Sequence, residues 1–209
     1  IGRTGHASTG PTRGQNGCAK VAGVSGSYRR GLLALTLAGL ATVAALADAG
    51  LTAYHAVKKA VPHLFPGSTC VIMGAGGLGH LGIQCLRAMS PTRIVVLDRN
   101  ADALALTPGW GADETVLVDG SHVERVLELT DGKGAEVVLD FVGEQGAELD
   151  SWSMTRRAGS DFVIGYGGTV TIPAIDVIST ERNVIGNLGG SYNDLVELMA
   201  LTAAGRVEM

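Results

Sequence analysis

The residues in this 209-residue sequence best placed to do chemistry are glycines, spaced Gly74-x-Gly76-x-x-Gly79 at the end of the stretch 69–79. In that spacing Gly74 permits a tight turn out of a strand, and Gly76 lets the backbone come close to a pyrophosphate. Gly79 lets the following helix pack tightly on the sheet. With Gly77 and Leu78 between them, they form a helix start whose unpaired N–H groups and positive dipole end suit phosphates. Asp98 lies nineteen residues beyond Gly79, where a carboxylate can accept both hydroxyls of an adenosine ribose. Together these residues predict dinucleotide binding rather than a merely structural glycine turn. The charge of Asp98 would repel a 2′-phosphate, whereas the neighbouring Arg99 could receive one. The balance favours NAD over NADP.

Positioning these groups takes an alternating series of elements. Cys70–Met73 reads as a buried strand, and Leu81, Ile83, Cys85, Leu86 and Met89 give the helix after the glycines. Arg93–Leu97 is the strand that ends at Asp98. A helix starts at Ala101 and is expected to be interrupted by Pro108-Gly109. Strands follow at Thr115–Val118, Glu136–Asp140, Asp161–Ile164 and Asn183–Gly186. Helices are expected at Val123–Leu129, Gly146–Thr155 and Asp194–Thr202, with an earlier one at Ala49–Ala60. Continuous apolar strands alternating with helices predict an α/β doubly wound parallel sheet, the Rossmann fold. Right-handed crossovers would gather Gly74, Asp98, Asp140-Phe141-Val142 and Gly165-Tyr166 at one edge of it.

Composition narrows the field further. The chain holds 31 glycines, is 46% hydrophobic and carries a net charge of −4. Acidic and basic residues are interspersed, and no basic stripe interleaves with aromatics, so nucleic acid is not an expected partner. Cys18, Cys70 and Cys85 form no C-x-x-C pair, which argues against a disulfide framework and for a cytoplasmic setting. Residues 1–43 read as an irregular or foreign segment and 44–209 as the coenzyme domain. Within Arg29–Ala47, basic residues, an apolar run and Ala45-Leu46-Ala47 imitate a secretion signal. The run is short for a membrane span, and an ordinary helix is the reading preferred, with no membrane partner expected.

The stretch Ala47-Asp48-Ala49-Gly50-Leu51-Thr52-Ala53-Tyr54-His55-Ala56, then Pro66-Gly67-Ser68 and the glycine turn with His80, resembles the coenzyme domain of the medium-chain, zinc-dependent alcohol dehydrogenases. The likeness runs from about Ala44 to Val207. It implies NAD as cofactor and hydride transfer between a secondary alcohol and NAD in the full-length enzyme, where zinc polarises the alcohol oxygen. Asp48 stands where the family has its third zinc ligand, an aspartate in one branch acting on secondary alcohols. The alternative is that Asp48 caps the next helix. The resemblance places Thr52 by the nicotinamide ring, Phe141 and Val142 by the adenosine, and Gly165, Tyr166, Asn187 and Leu188 by the nicotinamide carboxamide. It also implies a homodimer paired through the strand near Asn183–Gly190.

The chain departs from the family as well. Neither the Gly-His-Glu stretch nor the Cys near Asp-x-His is present, so two zinc ligands are missing. His55, His63, His80 and His122 show no ligand spacing with Asp48. The chain reads as truncated, without the N-terminal zinc-carrying barrel, and as inert alone. Two other readings stay open: an NAD-binding module without turnover, and a zinc-free relative resembling quinone reductases.

Overall fold

The computed structural model describes residues 1–2 and 43–209. The expectations for Cys18, the irregular lead and most of the signal-like stretch fall outside the described residues. Helical backbone already runs from residue 43. A π-helical turn at Leu46–Gly50 leads without a break into α1 (Leu51–Ala60). Then come β1 (Thr69–Met73), α2 (Gly79–Met89), β2 (Arg93–Asp98), α3 (Ala101–Trp110), β3 (Glu114–Leu117) and α4 (His122–Leu129). The chain continues through β4 (Ala135–Asp140), α5 (Ala147–Met154), β5 (Thr155–Val163), α6 (Ala174–Thr180), β6 (Asn183–Gly186) and α7 (Tyr192–Ala203). No helix among the described residues is long and apolar enough to cross a membrane.

The six strands lie in the order β3-β2-β1-β4-β5-β6, and every pairing is parallel. The order in which strands are added reverses at β1/β4, the switch point where a doubly wound sheet opens a crevice beyond its carboxyl ends. Alternation along the strands sends Cys70, Ile72, Ile94, Val96, Val137, Leu139 and Phe162 to one face, under α1, α2, α3 and α7. Val71, Met73, Val95, Leu97 and Val138 go to the other, under α4 and α5. Both described thiols, Cys70 and Cys85, are free and buried; burial pushes the Cys85 thiol up to about 12, so they act as apolar filling.

Three local expectations are corrected. Helix α3 is not interrupted at Pro108 but runs to Trp110 and ends on left-handed Gly111. Proline removes the donor that Leu104 O would receive; the Thr107 hydroxyl supplies it instead, at 2.9 Å. Strand β5 begins at Thr155 rather than Asp161, because a bulge carries polar residues that hide its period. Helix α6 was not foreseen; two turns on an exposed surface leave little periodic signal.

Candidate functional site

The glycine turn is built by contacts that only glycine allows. Gly74 has φ +94, and a Cβ there would sit 2.9 Å from Val142 Cγ2. A Cβ on Gly79 would lie 1.9 Å from Gly74 O, a distance no side chain can occupy. Gly76 and Gly77 are exposed and have nothing within 4 Å of a built Cβ. The Gly76, Gly77 and Leu78 N–H groups find no protein acceptor among the described residues. Three successive free N–H groups at a helix start form an anion cradle. His80, one residue into α2, donates from Nδ1 to Gly76 O at 3.2 Å and so braces this turn.

Asp98 closes β2 beside the cradle. Its Oδ2 accepts the Ala75 N–H at 2.7 Å and its Oδ1 the Asn100 N–H at 2.8 Å. These bonds fix the carboxylate while each oxygen keeps a lone pair for a sugar hydroxyl. A cleft of about 280 Å³ runs from Gly74 and Asp98 to Val142 and Gln145. Arg99 spans it, donating to Gln145 O at 3.0 Å and to the Gln145 side chain. A guanidinium so held is less free to meet a 2′-phosphate, which sharpens the reading of Asp98.

Past β4 the chain is pinned by Asp140, whose Oδ1 accepts the Val142 and Gly143 N–H groups at 2.8 and 2.9 Å. Burial raises the Asp140 carboxyl above its usual range; these bonds counter it, and Glu148 and Asp150 add to the rise. The Phe141 ring lies against Gly82 of α2, where a Cβ would come within 2.8 Å of it. Gly143 and Gly165 bring the ends of β4 and β5 together, a Cβ on Gly143 falling 2.2 Å from Gly165 C. Sequence reading singled out Gly165 but missed Gly82, Gly143 and Gln145. The Asp140-x-x-Gly143 spacing, an Asx-type turn, was the signal for the second of these.

The part of the crevice at the ends of β5 and β6 is more open. Tyr166 and Leu188 are 93% and 95% exposed. The Gly165 and Asn187 N–H groups are already bonded, to Asp140 O and Val163 O at 2.8 and 2.9 Å. Those of Tyr166 and Leu188 have no acceptor among the described residues. Asn187 is buried, yet neither its Oδ1 nor its Nδ2 has a partner among the described residues. Thr52 lies in the first turn of α1, whose Leu51 and His55 border Gly190, just past Leu188. The structure thus brings Thr52 toward the end of β6.

Asp48 does not join this set as a metal centre. It is exposed within the π-helical turn, where its carbonyl accepts the Leu51 N–H while its carboxylate hydrogen-bonds no described residue. Helical φ and ψ at Ala45, Gly50 and Leu51 leave it no cap to make. The four described histidines bond elsewhere: His55 to Asp194, His63 to Ser160, His80 to Gly76 O and His122 to Asp150. Among the described residues no three potential ligands converge. A catalytic zinc needs three protein ligands, so these residues do not fit one. The Asp194 carboxyl lies far below its usual range: burial would raise it, but bonds from Ser191, Lys58 and His55 prevail. This network ties α1 to α7.

The geometry has close counterparts. Residues 77–204 match the family described as zinc-binding dehydrogenase. The chain is 32% identical over 171 residues to an NAD-dependent alcohol dehydrogenase of Sulfolobus acidocaldarius, covering 80% of this chain and 48% of the relative. It is similar to the alcohol dehydrogenase of Aeropyrum pernix, with a TM-score of 0.80 at 42% identity over 81% of this chain and 49% of that one. It is also similar to an acetophenone reductase from Geotrichum candidum solved in complex with NAD, with a TM-score of 0.67 at 26% identity over 79% and 46%. The chain therefore spans about half the length of the relatives it matches. A glycine cradle at the β1/β4 switch point, a ribose-ready carboxylate and these likenesses together establish that the chain belongs to the zinc-binding dehydrogenase family.

Proposed function

We propose that this chain binds NAD across the carboxyl ends of its sheet and supplies the coenzyme half of an alcohol dehydrogenase. The observation that carries the reading is the run of free N–H groups at Gly76, Gly77 and Leu78 beside the fixed carboxylate of Asp98. The cradle would hold the pyrophosphate and Asp98 the adenosine ribose. Phe141, Val142 and Arg99 would wall the adenosine. The Tyr166 and Leu188 backbone N–H groups and the unpartnered Asn187 amide would orient the carboxamide, with Thr52 beside the ring. When bound, NAD accepts hydride from the carbinol carbon of a secondary alcohol.

None of the described residues forms a site able to polarise an alcohol, so the described half is proposed to bind coenzyme without turnover. Titration with NADH, followed by fluorescence, should saturate, while secondary alcohols with NAD and added zinc should give no NADH. Alcohol oxidation that a chelator abolishes would refute the second statement and leave the first standing.

The setting proposed is the cytoplasm, and the partner a second copy of the chain. Among the described residues strand β6 is an open edge, paired only with β5; Val184 on it is exposed, as are Ile175 and Ile178 of α6. Such an edge invites strand pairing unless it is covered. Sedimentation should report a dimer that Val184→Lys weakens; a monomer at all concentrations would exclude it.

A further inference from the structure

The coenzyme reading uses only the carboxyl end of the sheet. At the amino end a separate concavity of about 640 Å³ opens below the starts of β1, β2, β4 and β5. Its wall carries Arg93, Lys133, Arg156, Arg157 and Arg182, against the carboxylates of Asp131 and Glu136. Five cations thus face one hollow in a chain whose net charge is −4.

The two carboxylates offset the five cations only in part. Glu136 is committed, its Oε2 accepting the Thr69 N–H at 2.7 Å. Its Oε1 forms an ion pair with Arg156 at 3.4 Å from Nε, too poorly aligned for a hydrogen bond, so that Nε has no hydrogen-bond acceptor among the described residues. Arg182 lies 5.0 Å over the Trp152 ring and donates to Trp152 O at 3.1 Å, yet its Nε is also buried and unpartnered. The Lys133 amino group has no hydrogen-bond partner among the described residues. Arg157 donates one nitrogen to Ser179 O at 2.5 Å. Arg93 bonds Leu129 O at 2.8 Å and Glu114 at 3.2 Å on the rim. The Arg182 guanidinium is held below its ordinary range by burial first and by Arg157 next, with Asp176 opposing.

The backbone is shaped to bring these charges together. Between the Ala135–Thr155 and Val137–Ser160 pairs, β4 advances two residues while β5 advances five. The excess forms a bulge that carries Arg156 and Arg157, with Ala158 at φ 55, a conformation that L side chains rarely adopt.

We infer that this basic bowl is a binding site for a compact anion bearing phosphate groups, separate from the coenzyme crevice. Guanidinium forks match the oxygens of a phosphate, and Lys133 and Arg157 stand exposed on the wall to meet one. The volume is that of a small-ligand pocket. No aromatic side chain lines it, so it offers no surface on which a nucleic-acid base would stack. The inference is independent of how NAD binds.

The test is calorimetric titration of the full chain with inorganic pyrophosphate at physiological salt, alone and with saturating NADH. Lys133→Gln and Arg157→Gln serve as variants; both positions are exposed, and melting curves report their folding. The expected result is saturable one-site binding that NADH does not displace, weakened about tenfold or more by either variant. ADP binding as tightly as pyrophosphate identifies phosphate as the recognised group. Absence of binding up to about 10 mM, displacement by NADH, or affinity unchanged from the unsubstituted chain in both variants would overturn the inference. So would a short single-stranded oligonucleotide that binds the bowl more tightly than pyrophosphate.

Discussion

The two ends of the sheet present ligand-facing groups of different kinds. At the carboxyl end the donors are backbone N–H groups of Gly76, Gly77 and Leu78, and the walls meet where only hydrogen fits, at Gly79 against Gly74 and Gly143 against Gly165. At the amino end the donors are long side chains, gathered from residues 93, 133, 156–157 and 182. Backbone recognition tolerates almost no substitution at its close contacts. Side-chain recognition spreads its energy over several charges, each of which can be removed at modest cost. Substitutions at the two ends should therefore differ in severity.

The largest effect is expected for Gly79→Ala. A methyl 1.9 Å from Gly74 O forces the turn open, and NADH affinity should fall by about 100-fold or more, with a lowered melting temperature. Unchanged NADH titration would mean that the cradle does not hold the coenzyme. Next comes Asp98→Ala, which removes the ribose acceptor and the partner of the Ala75 N–H. It should weaken NADH by about 10- to 100-fold and NADPH far less; equal losses for both would remove the ribose assignment.

A substitution midway between the ends should move stability and neither binding site. Asp161 in β5 is 0% exposed, and neither carboxyl oxygen has a partner among the described residues. Burial first, and the charge of Asp140 next, push its carboxyl up to about 7. Once unfolded, the group ionises near its ordinary value of about 4. Between those two pH values the unfolded chain has shed a proton that the folded one keeps, so stability falls as pH rises through that window and is lowest above it. Asp161→Leu should abolish that decline and raise stability at pH 8 by about 2–4 kcal/mol in denaturant titrations. An unaltered pH dependence would show that Asp161 is not the group responsible. The smallest effect is expected for Arg99→Ala, since its guanidinium spans the adenosine cleft from an exposed position. NADH affinity should stay within about threefold, and a larger loss would make Arg99 a principal contact.

The same contrast explains what could be read in advance. Glycines with fixed jobs leave a spacing in the sequence, so the Gly74–Gly79 turn, the partner carboxylate Asp98 and the alternating strands were legible. The parallel, doubly wound character of the sheet followed from the continuous apolar strands. Gly82 was not legible, because its constraint comes from Phe141, distant in sequence; Gly143 left the Asp140-x-x-Gly143 spacing as a local trace, while its close approach to Gly165 left none. The persistence of α3 past Pro108 depends on one Thr107 hydroxyl, and the tie between α1 and α7 on residues about 140 apart, such as His55 and Asp194. The basic bowl was invisible for the same reason. Its cations are scattered along the chain, and only the β5 bulge and the turns at the amino end bring them together.

Calorimetric titration of the intact chain with NADH bears most directly on the whole. Backbone donors at residues 76–78 and the Asp98 carboxylate predict saturable one-to-one binding with a Kd in the micromolar to low-millimolar range, about 10⁻⁶ to 10⁻³ M. Folded protein that gives no heat of binding at about 5 mM NADH would contradict it.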